Sequence, residues 1–317
     1  DRMEVIELGS YTDEEKVEIA RQHLIPKQLK EHGLQKRQLS ISDDALRSII
    51  SGYTRESGVR ILERKIAAIC RKAAMKIVDG EKTVKITEKD LHEYLGAPRY
   101  FPERQALEER VGVVNGLAWT SVGGELLEVE AGVMDGTGKL ELTGNLGTVM
   151  QESAKTALSC LRSRAGEFGI EKDFYKTKDI HIHFPEGAVP KDGPSAGIAI
   201  TTAMLSALTG KKVRKDVAMT GEVTLRGRVL PIGGLKEKTM AALRNGIETV
   251  IIPRENEKDL EEIDQTVRRK LRFVPVSRVE EVFSEALVSE GKKTAAQPEE
   301  MPLLAVQSCT ARPDLRV

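Results

Sequence analysis

The stretch from Asp179 to Leu208, DIHIHFPEGAVPKDGPSAGIAITTAMLSAL, constrains this chain most. Asp179 to Phe184 alternate in polarity and favour β-structure, which predicts a strand. A turn dense in Gly and Pro follows. Ser195 then opens an apolar run, Ala196 to Leu208, long enough for a buried helix and stopped by Gly210. A serine at the start of a helix has free backbone N–H groups around it and the positive end of the dipole beneath it. That setting suits a nucleophile whose attack creates an oxyanion. It equally suits an ordinary N-cap serine.

Two motifs compete for these residues. Gly187 to Ser195 has the look of a phosphate loop, but such a loop needs Lys directly after its second glycine. Pro194 stands there, and Lys191 comes too early. Gly193-Pro194-Ser195-Ala196-Gly197 also fits the G-x-S-x-G elbow of the α/β-hydrolases, whose acid and histidine follow the serine. Here His23, His32, His92, His181 and His183 all precede Ser195, which excludes that order. A His183–Asp192–Ser195 arrangement stays formally open. However, His181 and His183 alternate with Ile180 and Ile182 on one short strand, a pattern that more often serves structure.

Lysine is the next candidate base. Its reference pKa of about 10.4 must fall through desolvation before it can accept a proton near neutral pH. Pro231 to Gly246, PIGGLKEKTMAALRNG, offers Lys236 and Lys238 on a helix that starts after two glycines. Periodicity does not choose between them. The apolar residues Leu235, Met240, Ala242 and Leu243 lean, if anything, towards Lys236, and both lysines would also suit a solvated surface.

The length of 317 residues favours two domains. With 49 basic and 49 acidic residues there is no global charge to attract nucleic acid. No apolar run approaches the ~18 residues that a membrane helix needs. The opening DRMEVIELG has no apolar core and does not read as a signal peptide. Cys70, Cys160 and Cys309 are too few and too scattered for a disulfide framework or a zinc site, so no metal is expected and a reducing cytoplasm is. The chain begins at Asp1 without Met, and we expect it to be a fragment.

Residues 1–96 read as a small all-α domain. Thr12-x-x-Glu15 is a capping box, Pro26 interrupts the helix, and Gly33 ends the next short one. Ser42 is expected to cap a second helix, and Ser57 a third that runs to Asp79. In the third, Leu62, Ile66, Ile69, Ala73 and Ile77 recur at the spacing of one buried face. A short strand at Thr83 to Ile86 and a helix from Thr87 to Leu95 follow. Residues 97–110, with two prolines, read as a linker. Residues 111–288 mix strands and helices, which indicates an α+β domain. Its strands are expected at Val111–Thr120, Glu125–Met134 and Lys139–Thr143, with Asp135 to Gly138 as a hairpin turn. A helix over Leu146 to Ala165 precedes the organising stretch. Further strands are expected near Asp216–Thr220, Val223–Leu230, Thr249–Ile252 and Arg272–Val276, with helices at Glu255–Ile263 and Val279–Leu287. Residues 289–317 are polar and without period, which predicts a disordered tail apart from the apolar patch Leu303 to Val306.

Gly187 to Gly197, GAVPKDGPSAG, together with Pro231 to Lys238, PIGGLKEK, resembles the proteolytic domain of bacterial Lon, the ATP-dependent Ser-Lys proteases. The resemblance continues through Gly138 to Ala154, GKLELTGNLGTVMQESA, and Met219 to Glu222, MTGE, and reaches about residue 288. It implies a Lon-type fold and a serine endopeptidase. In the family's motifs the nucleophile falls on Ser195 and its base on Lys238 rather than Lys236. Thr220 matches the threonine that hydrogen-bonds the lysine. Asp192 would gate the groove or simply form the turn, and Glu130 and Trp119 match positions around the groove.

The first segment resembles the small helical subdomain of the AAA+ module in the same proteins. Arg60 matches the nucleotide-sensing arginine, although it also stands in pairing range of Glu56 and Glu63. No phosphate loop is present, so this chain is not expected to hydrolyse ATP or to need a cofactor for peptide cleavage. ATP and Mg²⁺ are implied for a full-length family member. The resemblance further implies unfolded protein substrates, a role in protein quality control and a homo-hexameric ring. Lon proteins can bind DNA, and Arg64, Lys65, Arg71, Lys72 and Lys76 form a basic helix face, which a plain solvated surface explains as well. The alternative function is an inactive Lon-like scaffold or binding module. Retention of both Ser195 and Lys238 favours the enzyme.

Overall fold

The computed structural model describes residues 10–100, 108–120 and 123–288. The opening stretch through Gly9, the linker centre at 101–107 and the tail 289–317, with Leu303 to Val306, lie outside the described residues.

The first unit is helical. Thr12 caps α1 (Asp13–Ile19): its hydroxyl accepts from Glu15 N–H, and the Glu15 carboxylate accepts from Thr12 N–H. The chain then runs through one π-helical turn, Ala20–Leu24, into α2 (Ile25–Glu31). Pro26 therefore does not interrupt the helix as expected. Proline lacks an N–H and crowds the carbonyl four residues back, and the wider turn accommodates both. After β1 (Leu39–Ile41) come α3 (Asp43–Tyr53), capped by Ser42, and α4 (Arg60–Val78). Ser57 does not cap α4. The Glu56 carboxylate accepts from the N–H groups of Ile61 and Leu62 at 2.8 Å each, an acid at the positive end of the helix. Leu62, Ile66, Ile69 and Ala73 line the buried face of α4. Then β2 (Val84–Ile86) pairs in parallel with β1, and α5 (Leu91–Leu95) closes the unit.

The second unit is α+β. In chain order it contains β3 (Arg110–Val111), β4 (Val113–Thr120), β5 (Gly123–Asp135), β6 (Leu140–Thr143), α6 (Thr148–Ser163), α7 (Phe174–Thr177) and β7 (Lys178–His183). It continues with α8 (Gly197–Thr209), β8 (Lys212–Val213), β9 (Val217–Met219), β10 (Glu222–Val223), β11 (Val229–Leu230), α9 (Leu235–Arg244), β12 (Thr249–Pro253), α10 (Gln265–Lys270), β13 (Arg272–Val276) and α11 (Val279–Ala286). Seven strands form one mixed sheet in the order β13-β12-β9-β4-β5-β7-β6. Strands β13, β12, β9 and β4 run parallel, and β5 lies antiparallel to both β4 and β7. The segment expected as a helix at Glu255–Ile263 is a 3-10 helix, Arg254–Glu262, and the strand expected at Val223–Leu230 is the β10–β11 hairpin.

Asp135 to Gly138 does not close a hairpin. β6 pairs in parallel with β7, so β7 lies between β5 and β6. The Asp179 carboxylate explains the detour, since it accepts from the N–H groups of Thr137 and Lys139 and draws the turn across the start of β7.

Alternate residues divide the sheet between two cores. Val217, Met219 and Ile251 join the core beneath α6, α8 and α11, while Ala218, Val250 and Ile252 join the core beneath α9 and α10. Helix α8 is buried on every side, as its unbroken apolar run requires. Its buried Thr201 and Thr202 satisfy their hydroxyls by donating to the carbonyls of Gly197 and Ile198. An ion pair from Arg55 to Glu125 at 2.6 Å joins the helical unit to the start of β5.

Candidate active site

The site forms where helices from opposite faces of the sheet meet, at the carboxyl end of β9. Helix α8 brings Ser195 from one face, in the 3-10 turn Pro194–Ala196 that leads into its first residue. Helix α9 brings Lys238 from the other. Between them runs Thr220-Gly221. Gly221 N–H donates to Ser195 O at 2.8 Å, and Ile198 N–H donates to Gly221 O at 3.0 Å. These bonds pin the serine turn to the end of β9.

Lys238 is only 2 % exposed. Its Nζ donates to Thr220 Oγ1 at 3.1 Å, and that hydroxyl donates to the backbone carbonyl of Ser195 at 3.3 Å. Burial lowers its pKa to about 8, and no carboxylate among the described residues counters the shift. Among the described residues no hydrogen bond joins the Ser195 hydroxyl to Lys238 directly, and the link between them runs through Thr220. Lys236 is half-buried. The inward face of α9 is Leu235, Lys238, Thr239 and Ala242, so the lean of the apolar pattern towards Lys236 misleads. Small and polar residues fill that face, and a hydrophobicity pattern reads them poorly.

Ser195, Lys238, Lys236, Asp192 and Trp119 all line one cleft of about 1680 Å³. Trp119 is 61 % exposed and lies against Gly234, which adopts φ +69° at the start of α9. The Asp192 carboxylate accepts from Met150 N–H and Gly193 N–H at 2.9 Å, which ties the serine loop to the first turn of α6. Glu130 is absent from the cleft lining, where Glu128 appears instead. Sequence reasoning missed Glu128, although its alternation with Glu130 on one strand was a usable signal.

The His183–Asp192–Ser195 arrangement does not form. His181 and His183 both contact the Thr143 hydroxyl, at 2.8 and 2.7 Å, and β7 pairs His183 with Glu130. Among the described residues no group of three or more His, Cys, Asp or Glu side chains is placed to share a metal ion. Arg60 stands at the start of α4, exposed and outside every described ion pair, beside a small hollow that Gln28, Glu31, His32 and Arg71 also line. Glu56 and Glu63, its expected partners, are held by the α4 N-terminus and by Lys27.

A family model described as the Lon protease (S16) C-terminal proteolytic domain matches residues 85–289, and one described as the Lon protease AAA+ ATPase lid domain matches residues 30–86. The chain belongs to the Lon protease family. Curated Lon proteases agree along nearly all of it. The Lon protease of Brucella abortus (biovar 1, strain 9-941) is 55 % identical over 303 residues, 95 % of this chain and 37 % of that protein. Lon protease 1 of Bacillus subtilis (strain 168) is 57 % identical over 294 residues, 92 % of this chain and 38 % of that protein. The Lon protease of Heliobacterium modesticaldum (strain Ice1) is 54 % identical over 309 residues, 97 % of this chain and 38 % of that protein. The chain thus spans well under half the length of these Lon proteases. The helical unit falls largely in the lid match and the α+β unit in the proteolytic match.

Proposed function

We propose that this chain is the proteolytic portion of a Lon-type serine endopeptidase that works through a Ser195–Lys238 dyad. One observation carries the reading: Lys238 is buried in the cleft that Ser195 lines, without a counter-ion among the described residues, and burial brings its pKa to about 8. Neutral Lys238 takes the proton of the Ser195 hydroxyl as that oxygen attacks the scissile carbonyl. The ammonium so formed protonates the leaving amine, and water then hydrolyses the acyl-enzyme. Thr220 holds the lysine nitrogen in place with a neutral hydroxyl, which leaves its basicity unaltered by charge. Backbone N–H groups of the Ser195 turn stabilise the oxyanion.

Asp192 supports the site by holding the serine loop on α6, and Trp119 by packing on the start of α9. Extended, unfolded polypeptides are the substrates, laid along the cleft as an added strand. The setting is bacterial, cytoplasmic protein quality control in a homo-hexamer. Arg60 fits a phosphate-sensing role, because its guanidinium is exposed and unpaired among the described residues. ATP with Mg²⁺ would supply the energy for unfolding in a full-length protein. No step at Ser195 requires it. Any DNA binding by the α4 basic face is weak and secondary.

The test is incubation with casein, with and without ATP, beside the Ser195→Ala variant. Nucleotide-independent digestion that Ser195→Ala abolishes is expected. Undigested casein under both conditions would leave the scaffold alternative.

A further inference from the structure

The chain as a whole is neutral, with 49 basic and 49 acidic residues, but the cleft is not. Among the described residues seven carboxylates line it against three lysines, and one of those is the buried Lys238. The excess is therefore local. We infer that the cleft selects polypeptide segments carrying lysine or arginine near the scissile bond and disfavours acidic ones. This inference rests on the proposed endopeptidase reading.

The arrangement of the carboxylates supports it. Five of the seven come from three separate elements around Ser195: Glu125 and Glu128 from β5, Glu237 from the first turn of α9, and Asp259 and Glu262 from the 3-10 helix Arg254–Glu262; Glu186 and Asp192 stand on the loop before Ser195. Glu125 is paired with Arg55. Among the described ion pairs none involves Glu128, Glu237, Asp259 or Glu262. Burial and the neighbouring Glu130 push the Glu128 carboxyl above its ordinary value, and Arg110, which opposes them, lies near it without lining the cleft. Of the opposing lysines, Lys191 donates its ammonium to the carbonyls of Glu186 and Val189, folded back on its own loop. Moreover, Lys238 must be neutral to act as a base, which deepens the negative field in the working state. A concave site of one sign focuses its field and raises the local concentration of the opposite charge. An extended substrate places its side chains against these walls, so its charge is sensed on both sides of the cut.

The experiment compares three peptides with one identical apolar core around the cut and flanks of lysine, glutamine or glutamate. The chain should cleave them in the order lysine, glutamine, glutamate, with about a tenfold spread in kcat/KM at low salt. Raising ionic strength from ~0.05 M to ~0.5 M should compress that spread, because the screening length falls to a few ångströms. Glu262 is exposed and makes no described hydrogen bond, so Glu262→Lys tests the wall without disturbing the fold. It should reduce the lysine-to-glutamate ratio several-fold. Equal rates, a preference for glutamate, or a ratio that neither salt nor Glu262→Lys changes would overturn the inference and leave the endopeptidase reading standing. Failure to cleave any of the three peptides would overturn both.

Discussion

Lys238 Nζ donates to Thr220 Oγ1 at 3.1 Å in a setting where the lysine is 2 % exposed. A buried ammonium held by a single neutral hydroxyl is easily deprotonated, because nothing nearby rewards its charge. The pH dependence of the chemistry follows. The rate of peptide cleavage should rise about tenfold per pH unit below pH 8 and level above it. A profile centred near the free-lysine value would show that Lys238 is not the base.

The nucleophile is tested separately. Ser195→Ala should abolish cleavage with the fold intact, since only a half-buried hydroxyl is lost. A peptide boronate should inhibit the parent chain, because tetrahedral boron bonded to a serine oxygen resembles the transition state. Mass spectrometry should locate the adduct on Ser195.

The two lysines should respond differently. Lys238→Ala should cost at least ~10² in kcat. Lys238→Arg should be inactive too, since guanidinium keeps its proton at any working pH. Lys236→Ala should cost little. A Lys236→Ala chain as inactive as Ser195→Ala would reverse the assignment.

Burial of Lys238 should also be visible in stability. Its folded pKa lies below its unfolded value, so the unfolded state binds more protons between about pH 8 and 10.4. Stability from this group therefore rises with pH across that window and is lowest below it. Lys238→Met should stabilise the chain below pH 8 by on the order of 3 kcal/mol, with the gain vanishing above about pH 10.4. Urea denaturation at pH 7 and pH 10.5 reads the difference.

Gly124 supplies a steric test. A Cβ there would stand 2.0 Å from Glu237 O and 2.9 Å from Lys238 N, both backbone atoms of α9. Gly124→Ala should push the lysine helix off β5, with a loss of ~1–3 kcal/mol in stability. Cleavage should fall by ~10² or more, since a displacement near 1 Å is costly in a positioned site. Wild-type activity in Gly124→Ala would mean that α9 adapts without moving Lys238.

Much was legible in the chain itself. The strand, turn and helix around Ser195, the capping box at Thr12, the stop at Gly210 and the buried face of α4 all depend on neighbours within a few residues. Local backbone chemistry determines such features, so one sequence is enough to read them. Tertiary structure decided the rest. Parallel pairing of β6 with β7 depends on Asp179 reaching Thr137 and Lys139, some forty residues away. Asp192 is placed by the first turn of α6, at Met150. That Lys238 is buried and Lys236 only half-buried depends on which side of α9 meets β4 and β5 and on Thr220 arriving from β9. Burial belongs to surfaces brought together from distant parts of the chain, and desolvation, which lowers the pKa of this lysine, exists only once they have met.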